Sequence, residues 1–211
     1  MRRLANILAQ AIGALFYPLL IPTYGMLLFR WGYGDAQSLL PQVYWWIAIG
    51  GTVVLTLIIP LSIIALMIAR GQIEDLYINR PEQRTAPYLY SVVCFCFWCY
   101  FLNNILHVPP FLVWVAMGAT VALGLVLLIN RWWKISAHLT DMGGLLGGFL
   151  SFYLYYGWQL SPLGMGIWLL LTLALMTARI YVQAHTPLQV VAGWLLGLCM
   201  TFIPNLILYY V

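Results

Sequence analysis

Three short polar stretches interrupt an otherwise apolar sequence, and each carries residue types that bind or transfer phosphate. Ionisable side chains are costly in or near a bilayer, so those that occur there are functional candidates by default. We expect the three stretches to meet around one phosphate group. Their candidate residues are Arg80 and Arg84 in the first stretch, Lys134, Ser136 and His138 in the second, and Arg179, His185 and Gln189 in the third.

Two histidines surrounded by cations suit phosphoryl transfer. One imidazole can attack the phosphorus, while the other protonates the leaving oxygen and then activates water. Arginine and lysine stabilise the negative charge that gathers on the phosphoryl oxygens, and a planar guanidinium binds two of those oxygens at once. A helix beginning near Ser136 would add backbone N–H donors. Either histidine alone would more often be structural, so the interpretation depends on their occurring together with the cations.

The acidic and thiol side chains argue against a metal-dependent reaction. The chain has only five acidic residues, whereas lipid transferases that work with Mg²⁺ need clusters of aspartates. All four cysteines lie inside apolar runs, where a free thiol behaves as a small hydrophobic group. We therefore expect a site with no metal and no cofactor. The net charge of +4 is small and scattered, which excludes nucleic acid as a partner.

The composition specifies the kind of scaffold that must position these residues. The chain of 211 residues is 64% hydrophobic and 7% charged, and its mean hydropathy is +0.94, values typical of a polytopic membrane protein. We predict an all-α membrane helical bundle, forming one domain over residues 1–211. A spanning helix needs about 20 apolar residues, and seven stretches qualify: 7–29, 43–69, 88–106, 111–130, 135–157, 163–183 and 187–209.

Two prolines, Pro18 and Pro22, interrupt the first of these stretches, so six or seven helices cross the membrane. Alternate loops then fall on opposite sides. The N-terminus and the loops near 70–87, 130–135 and 180–187 share one side, which also carries nearly all of the cations, while Arg30 lies on the other. By the positive-inside rule the site faces the cytoplasm. We expect an integral protein of a bacterial inner membrane, with no indication of its oligomeric state.

Small residues recur four apart in the predicted fifth and seventh helices. The fifth carries Gly143 and Gly147, and the seventh carries Gly193 and Gly197. Such spacing allows helix backbones to approach closely in lipid. The glycines either serve general membrane packing or bring these two helices into direct contact. Direct contact would hold His138 and His185, each near the start of its helix, across a small gap.

The third stretch, Arg179-x5-His185-x3-Gln189, resembles a signature of the type 2 phosphatidic acid phosphatase superfamily. Ser136-Ala137-His138 resembles the end of another signature of that superfamily, and the segment from Arg80 to Pro87 is similar to a third in place and charge but not in spacing. The resemblance covers residues 75–200 approximately. It implies that His185 forms a phosphohistidine and that His138 is the general acid. The phosphate binders that it implies are Arg179, Lys134, Ser136, Arg80 and Arg84.

The sequence departs from these signatures at several positions. Ile135 and Ala137 replace a proline and a glycine, and Ala178 replaces a serine. Gln189 stands where the superfamily has the aspartate that orients the nucleophilic histidine. We expect the Gln189 amide to accept a hydrogen bond from the ring of His185, which fixes its tautomer without stabilising its positive charge. In the serine-protease triad the comparable Asp-to-Asn change lowers the rate about 10⁴-fold.

Asp141 is the nearest carboxylate in sequence that could compensate for this loss. It follows His138 by three residues and would lie on the same face of a helix. It could stand in for the missing aspartate, orient His138 or balance the arginines, and the sequence leaves these three roles open.

The predicted function is hydrolysis of a lipid phosphate or diphosphate, because the polar stretches lie at headgroup depth. Phosphatidic acid, phosphatidylglycerophosphate and a polyprenyl diphosphate are all compatible substrates. The replacement at Gln189 supports one alternative, an inactive relative that binds or transports an anionic lipid. A second alternative is a membrane scaffold whose basic face contacts anionic lipid.

Overall fold

The computed structural model of the chain describes residues 2–32, 40–76, 78, 80–157 and 162–211. Within these ranges the chain forms helices and turns, without a strand. The α-helices are α1 (Arg2–Leu15), α2 (Ile21–Gly32), α3 (Gln42–Thr52), α4 (Ile59–Ala69), α5 (Thr85–Tyr100), α6 (Pro110–Ile129), α7 (Ala137–Tyr156), α8 (Pro162–Tyr181) and α9 (Pro187–Tyr210).

Six helical stretches of the described residues are long and apolar enough to cross a membrane. A π-helical segment, Val53–Ile58, joins α3 to α4 into one such stretch, and another, Phe101–Ile105, extends α5. α7 is less apolar, but its 20 residues lie inside the bundle, with more than half of them buried. The prediction of an all-α membrane bundle with six to seven spanning helices is confirmed. The six stretches are Arg3–Arg30, Gln42–Ala69, Thr85–Ile105, Pro110–Ile129, Leu163–Tyr181 and Pro187–Tyr210.

The first stretch is broken where the prolines predicted a break. Tyr17 is extended, with φ −61° and ψ 134°, as expected for a residue that precedes a proline. Pro18 then begins a short 3₁₀ helix, and Pro22 lies in the first turn of α2, where a missing N–H is tolerated. α1 consequently leaves the line of α2 and packs against α8.

α7 and α9 make the most extensive helix–helix contact among the described residues, and glycines line it. A Cβ at Gly143 would overlap the Trp194 carbonyl, and a Cβ at Gly197 would overlap the Thr140 carbonyl. Because larger side chains would force the two backbones apart, these positions require glycine. The direct contact that the sequence left open as one of two interpretations is confirmed.

Aromatic rings fill the space between α2, α6 and α7 at the end of α7 that lies far from His138. Their ring centroids are between 5.1 and 5.9 Å apart, in edge-on, tilted or stacked pairs. We call these five residues the aromatic cluster: Phe29, Phe111, Phe149, Phe152 and Tyr156.

Candidate functional site

A cavity of about 730 Å³, including its open mouth, lies at the opposite end of the bundle from the aromatic cluster. It brings together residues from all three polar stretches, although they are up to 101 positions apart in sequence (84 to 185). The expectation that the stretches meet in one place is therefore confirmed. The predicted site residues that line this cavity are Arg84, Lys134, His138, Arg179 and His185.

The backbone holds His185 in the turn that joins α8 to α9. The amides of Ala184 and His185 both donate to the Arg179 carbonyl, at 3.1 and 3.3 Å, and Gln183 reverses the chain with φ +55°. Nδ1 of the His185 ring lies 3.2 Å from the Lys134 carbonyl oxygen. A carbonyl can only accept, so Nδ1 carries the ring proton and Nε2 presents its lone pair.

His185 is neutral at physiological pH. Burial, together with the charges of Arg179, Lys134 and Arg84, lowers its pKa to about 4, against an opposing effect of the hydrogen bond to the Lys134 carbonyl. A neutral ring with an unprotonated Nε2 is the form in which an imidazole acts as a nucleophile.

His138 lies in the first turn of α7 and is 8% exposed. Its Nε2 is 3.2 Å from the Gly13 carbonyl oxygen, to which it donates. The Tyr17 ring meets the imidazole edge-on, with ring centroids 6.2 Å apart. Gly13 lies near the end of α1, and Tyr17 lies in the segment that joins α1 to α2. The end of α1 and the segment that follows it therefore cover the His138 side of the cavity.

Arg84 is buried in the cavity wall by two residues that sequence reasoning missed. Its Nε donates to the Ile78 carbonyl at 2.8 Å, and its Nη1 donates to Oδ1 of Asn130 at 3.1 Å. Ile78 has φ +44°, which is unusual for a β-branched residue. In this conformation its carbonyl accepts the hydrogen bond from Arg84. The signal for Asn130 was present in the sequence, as a polar residue directly after the apolar run of α6.

Three cations share the cavity without a carboxylate among its described lining residues. Arg179 is 7% exposed in the last turn of α8, and Arg84 is 6% exposed. Burial lowers the pKa of Lys134, and the charges of Arg84 and Arg179 lower it further. Like charges that share one cavity favour the binding of an anion, because an anion would relieve their mutual repulsion.

Two of the predicted phosphate binders lie outside this cavity. Arg80 is exposed on the preceding turn, where its Nη1 pairs with Oε1 of Glu74 at 3.1 Å. Ser136 is fully buried at the start of α7, against the glycine-lined contact with α9 near Gly193. Spacing alone could not separate these two residues from Arg84 and Lys134, because all four lie in the same polar stretches.

Gln189 stabilises the start of α9, and the expected hydrogen bond to the His185 ring is not formed. Its Oε1 accepts from the Thr186 amide at 3.0 Å, and its own amide donates to Oγ1 of Thr186 at 3.4 Å. This is a capping box. His185 precedes the N-cap residue, so the helical geometry that places residues four apart side by side does not apply to it. The Lys134 carbonyl holds the ring nitrogen instead.

Asp141 orients neither histidine of the cavity, and it forms no salt bridge with an arginine among the described residues. The Nε2 of His138 contacts Gly13, the Nδ1 of His185 contacts Lys134, and Asp141 lines a separate, apolar cavity. One helical turn separates it from His138 along α7.

Comparison of the chain with protein-family models, with curated proteins and with solved structures gives no match. The residues of the cavity and the geometry that brings them together are therefore what indicates a function.

Proposed function

We propose that the protein is a membrane lipid phosphatase that hydrolyses a lipid phosphate or diphosphate through a phosphohistidine at His185, without a metal ion. The observation that carries this proposal is the convergence of two histidines and three cations in one cavity. No carboxylate lies among the described residues that line it. The resemblance of the motifs to the type 2 phosphatidic acid phosphatase superfamily supports the same function.

In the first step, Nε2 of His185 attacks the phosphorus of the bound headgroup. An N–P bond forms while the bond from phosphorus to the lipid oxygen breaks. The ring becomes positively charged. Its proton stays on Nδ1, which continues to donate to the Lys134 carbonyl. A carbonyl dipole stabilises this charge less than a carboxylate would, so we expect a slower reaction than with an aspartate at this place.

His138 supplies the proton for the departing lipid oxygen. The negative charge of the bound phosphate favours the doubly protonated ring, and its Nε2 proton then passes from the contact with Gly13 to the lipid oxygen. In the second step the neutral ring accepts a proton from water. The water oxygen attacks phosphorus, the N–P bond breaks, and inorganic phosphate leaves His185 free.

The cations stabilise charge in both steps. The side chains of Arg84 and Arg179 are more than nine-tenths buried, and their positions are fixed by the surrounding helices before substrate enters. Fixed donors of this kind stabilise the phosphoryl oxygens without reorganising during the reaction. Lys134 adds a third positive charge at the rim, next to the nucleophile.

The substrate is proposed to be a lipid because the cavity lies among membrane-spanning helices. Its wall includes apolar residues of four elements, among them Leu19, Ile64 and Leu123. A phosphate bound among the cations would leave its organic part against these side chains. We further propose that the cavity opens towards the cytoplasm of a bacterial inner membrane, on the basis of the cations at this end.

An inactive relative that binds an anionic lipid is the second candidate function. Two observations favour it, namely the absence of a carboxylate partner for His185 among the described residues and the Gly13 carbonyl at Nε2 of His138. Such a protein would keep the cations and bind the headgroup without turnover.

One experiment separates the two candidates. The purified protein in detergent is given phosphatidic acid, phosphatidylglycerophosphate and a polyprenyl diphosphate, with and without a chelator, and released phosphate is measured. We expect release that the chelator does not reduce, together with an acid-labile phosphate on His185 by mass spectrometry. Release that requires a divalent cation would contradict the mechanism. Lipid binding with no release on any substrate would establish the binding protein.

A separate experiment tests on which side of the membrane the cavity opens. A cysteine introduced at Gln72, on the exposed turn after α4, is treated with an impermeant thiol reagent in intact cells. We expect no labelling until the cells are opened. Labelling of intact cells would reverse the assignment to the cytoplasmic side.

A further inference from the structure

A second cavity, of about 580 Å³ including its open mouth, follows the first towards the aromatic cluster. Its wall comes from α2, α5, α6, α7 and α9 and is almost entirely apolar, with side chains such as Met26, Trp98, Leu112 and Leu145. No step of the proposed hydrolysis uses it.

The two cavities follow one another along the same helices. Leu19 lines the first and Ile21 the second, Leu123 lines the first and Ala122 the second. On α7, His138 lines the first cavity and Asp141 lines the second. A hydrocarbon chain that leaves the histidines along Leu19 and Leu123 of the first cavity therefore reaches the second cavity next.

The depth of the second cavity matches one leaflet of a bilayer. Along α6 its lining runs from Ala122 to Leu112, which corresponds to about 15 Å at the rise of an α-helix. The hydrocarbon core of a bilayer is about 30 Å thick. A hydrocarbon chain of a lipid that starts at headgroup depth and follows this cavity would end near the middle of the membrane.

Asp141 is the ionisable residue among the described residues that line this apolar space. It forms no hydrogen bond or ion pair with the residues that the structure describes. A carboxyl group among hydrocarbon side chains is unfavourable unless it finds a hydrogen-bond partner. Packing does not explain its presence, because an aliphatic side chain would fill the position at lower free energy.

We propose that this cavity holds a hydrocarbon chain of the substrate, and that Asp141 hydrogen-bonds an oxygen of the linkage between the phosphate and that chain. The inference rests on the proposed function. Three residues along a helix correspond to a rise of about 4.5 Å, so Asp141 lies one turn below the histidine that would protonate the bridging oxygen. The next oxygens of a glycerol backbone fall at this depth.

This subsite distinguishes between the substrate classes that the sequence left open. A glycerolipid phosphate carries ester or hydroxyl oxygens close to its phosphate. A protonated carboxyl group donates its O–H to an ester oxygen, and a carboxyl oxygen accepts from a hydroxyl. A polyprenyl phosphate carries hydrocarbon there and would leave Asp141 without a partner. The structure therefore favours a glycerolipid phosphate over a polyprenyl phosphate.

The test measures kcat/KM on dioleoyl phosphatidic acid, on a polyprenyl phosphate and on p-nitrophenyl phosphate, which has no chain. Asp141→Leu should lower the value for phosphatidic acid about tenfold, the order expected for one buried hydrogen bond. The other two values should stay within about twofold. Asp141→Asn keeps a donor and an acceptor, so it should retain most of the activity on phosphatidic acid. Equal changes on all three substrates, or none, would overturn the proposal.

Whether the hydrocarbon chain of the substrate occupies the second cavity is tested with Ala119→Leu. This substitution narrows that cavity one turn along α6 from Ala122. This variant should lose activity on both lipids and keep it on p-nitrophenyl phosphate. Unchanged activity on the lipids would mean that the hydrocarbon chain does not bind in the second cavity.

A binding measurement keeps the subsite testable if the wild-type protein releases no phosphate, an outcome that would reject only the proposed function. Dioleoylglycerol has the linkage and the chains but no phosphate. It should raise the melting temperature of the wild type and of Asp141→Asn in detergent, and not that of Asp141→Leu. Equal shifts in all three proteins, or none, would overturn the role of Asp141.

Discussion

At one end of α7, His138 borders a cavity with three cations, whereas at the other end Phe149 and Phe152 are enclosed by aromatic rings. In the aromatic cluster, rings of α2, α6 and α7 pack directly against one another. At the histidine end, the hydroxyl of Ser136 is buried without a hydrogen-bond partner. The same helix thus combines a filled region with one whose polar groups are incompletely paired.

The difference indicates how the histidines are kept in place. A cavity cannot supply the packing that fixes its own walls. The positions of α7, which carries His138, and of α9, which begins two residues after His185, must therefore be set by contacts elsewhere along these helices. The glycine-lined contact of α7 with α9 and the aromatic cluster supply these contacts. Substitutions at the two ends should therefore separate activity from stability.

The largest effect is expected for His185→Ala, which removes the proposed nucleophile. Turnover should fall by at least about 10⁴-fold while the melting temperature in detergent changes little. His107→Ala is the matched control, since this exposed histidine follows α5 and does not line the cavity, and it should keep full activity. Retention of activity by His185→Ala would remove the histidine from the mechanism.

The opposite result is expected at the aromatic cluster. Phe152 is 1% exposed, and Phe152→Ala should lower the free energy of unfolding by about 3 kcal/mol or more through the cavity that it leaves. Phe97→Ala, on an exposed face of α5, serves as the control and should change stability far less. Both quantities follow from unfolding in detergent. If Phe152→Ala abolished turnover without affecting stability, the proposed separation of the two ends would be wrong.

Gly197→Ala should affect both activity and stability, because it acts on the contact between α7, which carries His138, and α9, which begins two residues after His185. The added Cβ would overlap the Thr140 carbonyl, and we expect a loss of about 1–3 kcal/mol in stability together with lower turnover. Gly50→Ala provides the comparison, since a Cβ there meets nothing within 4 Å. It should be neutral or slightly stabilising. Identical behaviour of the two variants would show that α7 and α9 can separate without consequence.

A smaller, diagnostic effect is expected from Lys134→Gln on the pH profile. The pKa of His185 is about 4, below its ordinary value of 6.5, and the charge of Lys134 contributes to that lowering. Removing the charge should raise the pKa, so the acidic limb of kcat/KM should move to higher pH. Arg131→Gln, exposed and outside the cavity, should leave the limb in place. A shift to lower pH would contradict the electrostatic account.

The same pKa predicts how stability depends on pH. Between pH 6.5 and about 4 the unfolded chain binds a proton at His185 that the native state does not, so acidification across this range should destabilise the protein. His185→Ala should reduce the slope of stability against pH in this window. An unchanged slope would mean that other groups account for the dependence.

The smallest effect is expected at Gln189. Because its side chain caps α9, Gln189→Ala should lower stability by about 1 kcal/mol and leave kcat within about twofold. Gln189→Asp should also keep kcat within about twofold. A tenfold rise with aspartate would show instead that residue 189 reaches the ring of His185 during catalysis.

Much of the fold followed from the sequence. The apolar runs located the spanning stretches to within a few residues, because a helix in lipid must be both long and apolar. The prolines predicted the break between α1 and α2. The glycines four apart offered direct contact of α7 and α9 as one of two interpretations, and the structure confirms it. The alternation of loops placed the polar stretches at one end, where Arg84, Lys134 and His185 meet.

The individual roles of residues within those stretches depended on the tertiary structure. Arg80 and Arg84 are equivalent in type and lie four residues apart, yet only Arg84 turns into the cavity, because Ile78 and Asn130 hold it there. No periodicity predicts the contact of Gly13 with His138, since it joins positions 125 residues apart through a backbone carbonyl.

The sequence by itself thus determined the membrane bundle, its spans and the end at which the histidines lie, since hydrophobicity and residue size act locally along the chain. The tertiary structure alone decided that the Lys134 carbonyl, and not Gln189, holds the His185 ring, and that Asp141 faces an apolar cavity. These outcomes depend on which backbone groups meet when distant helices pack. Backbone carbonyls are the same at every position and leave no trace in the sequence.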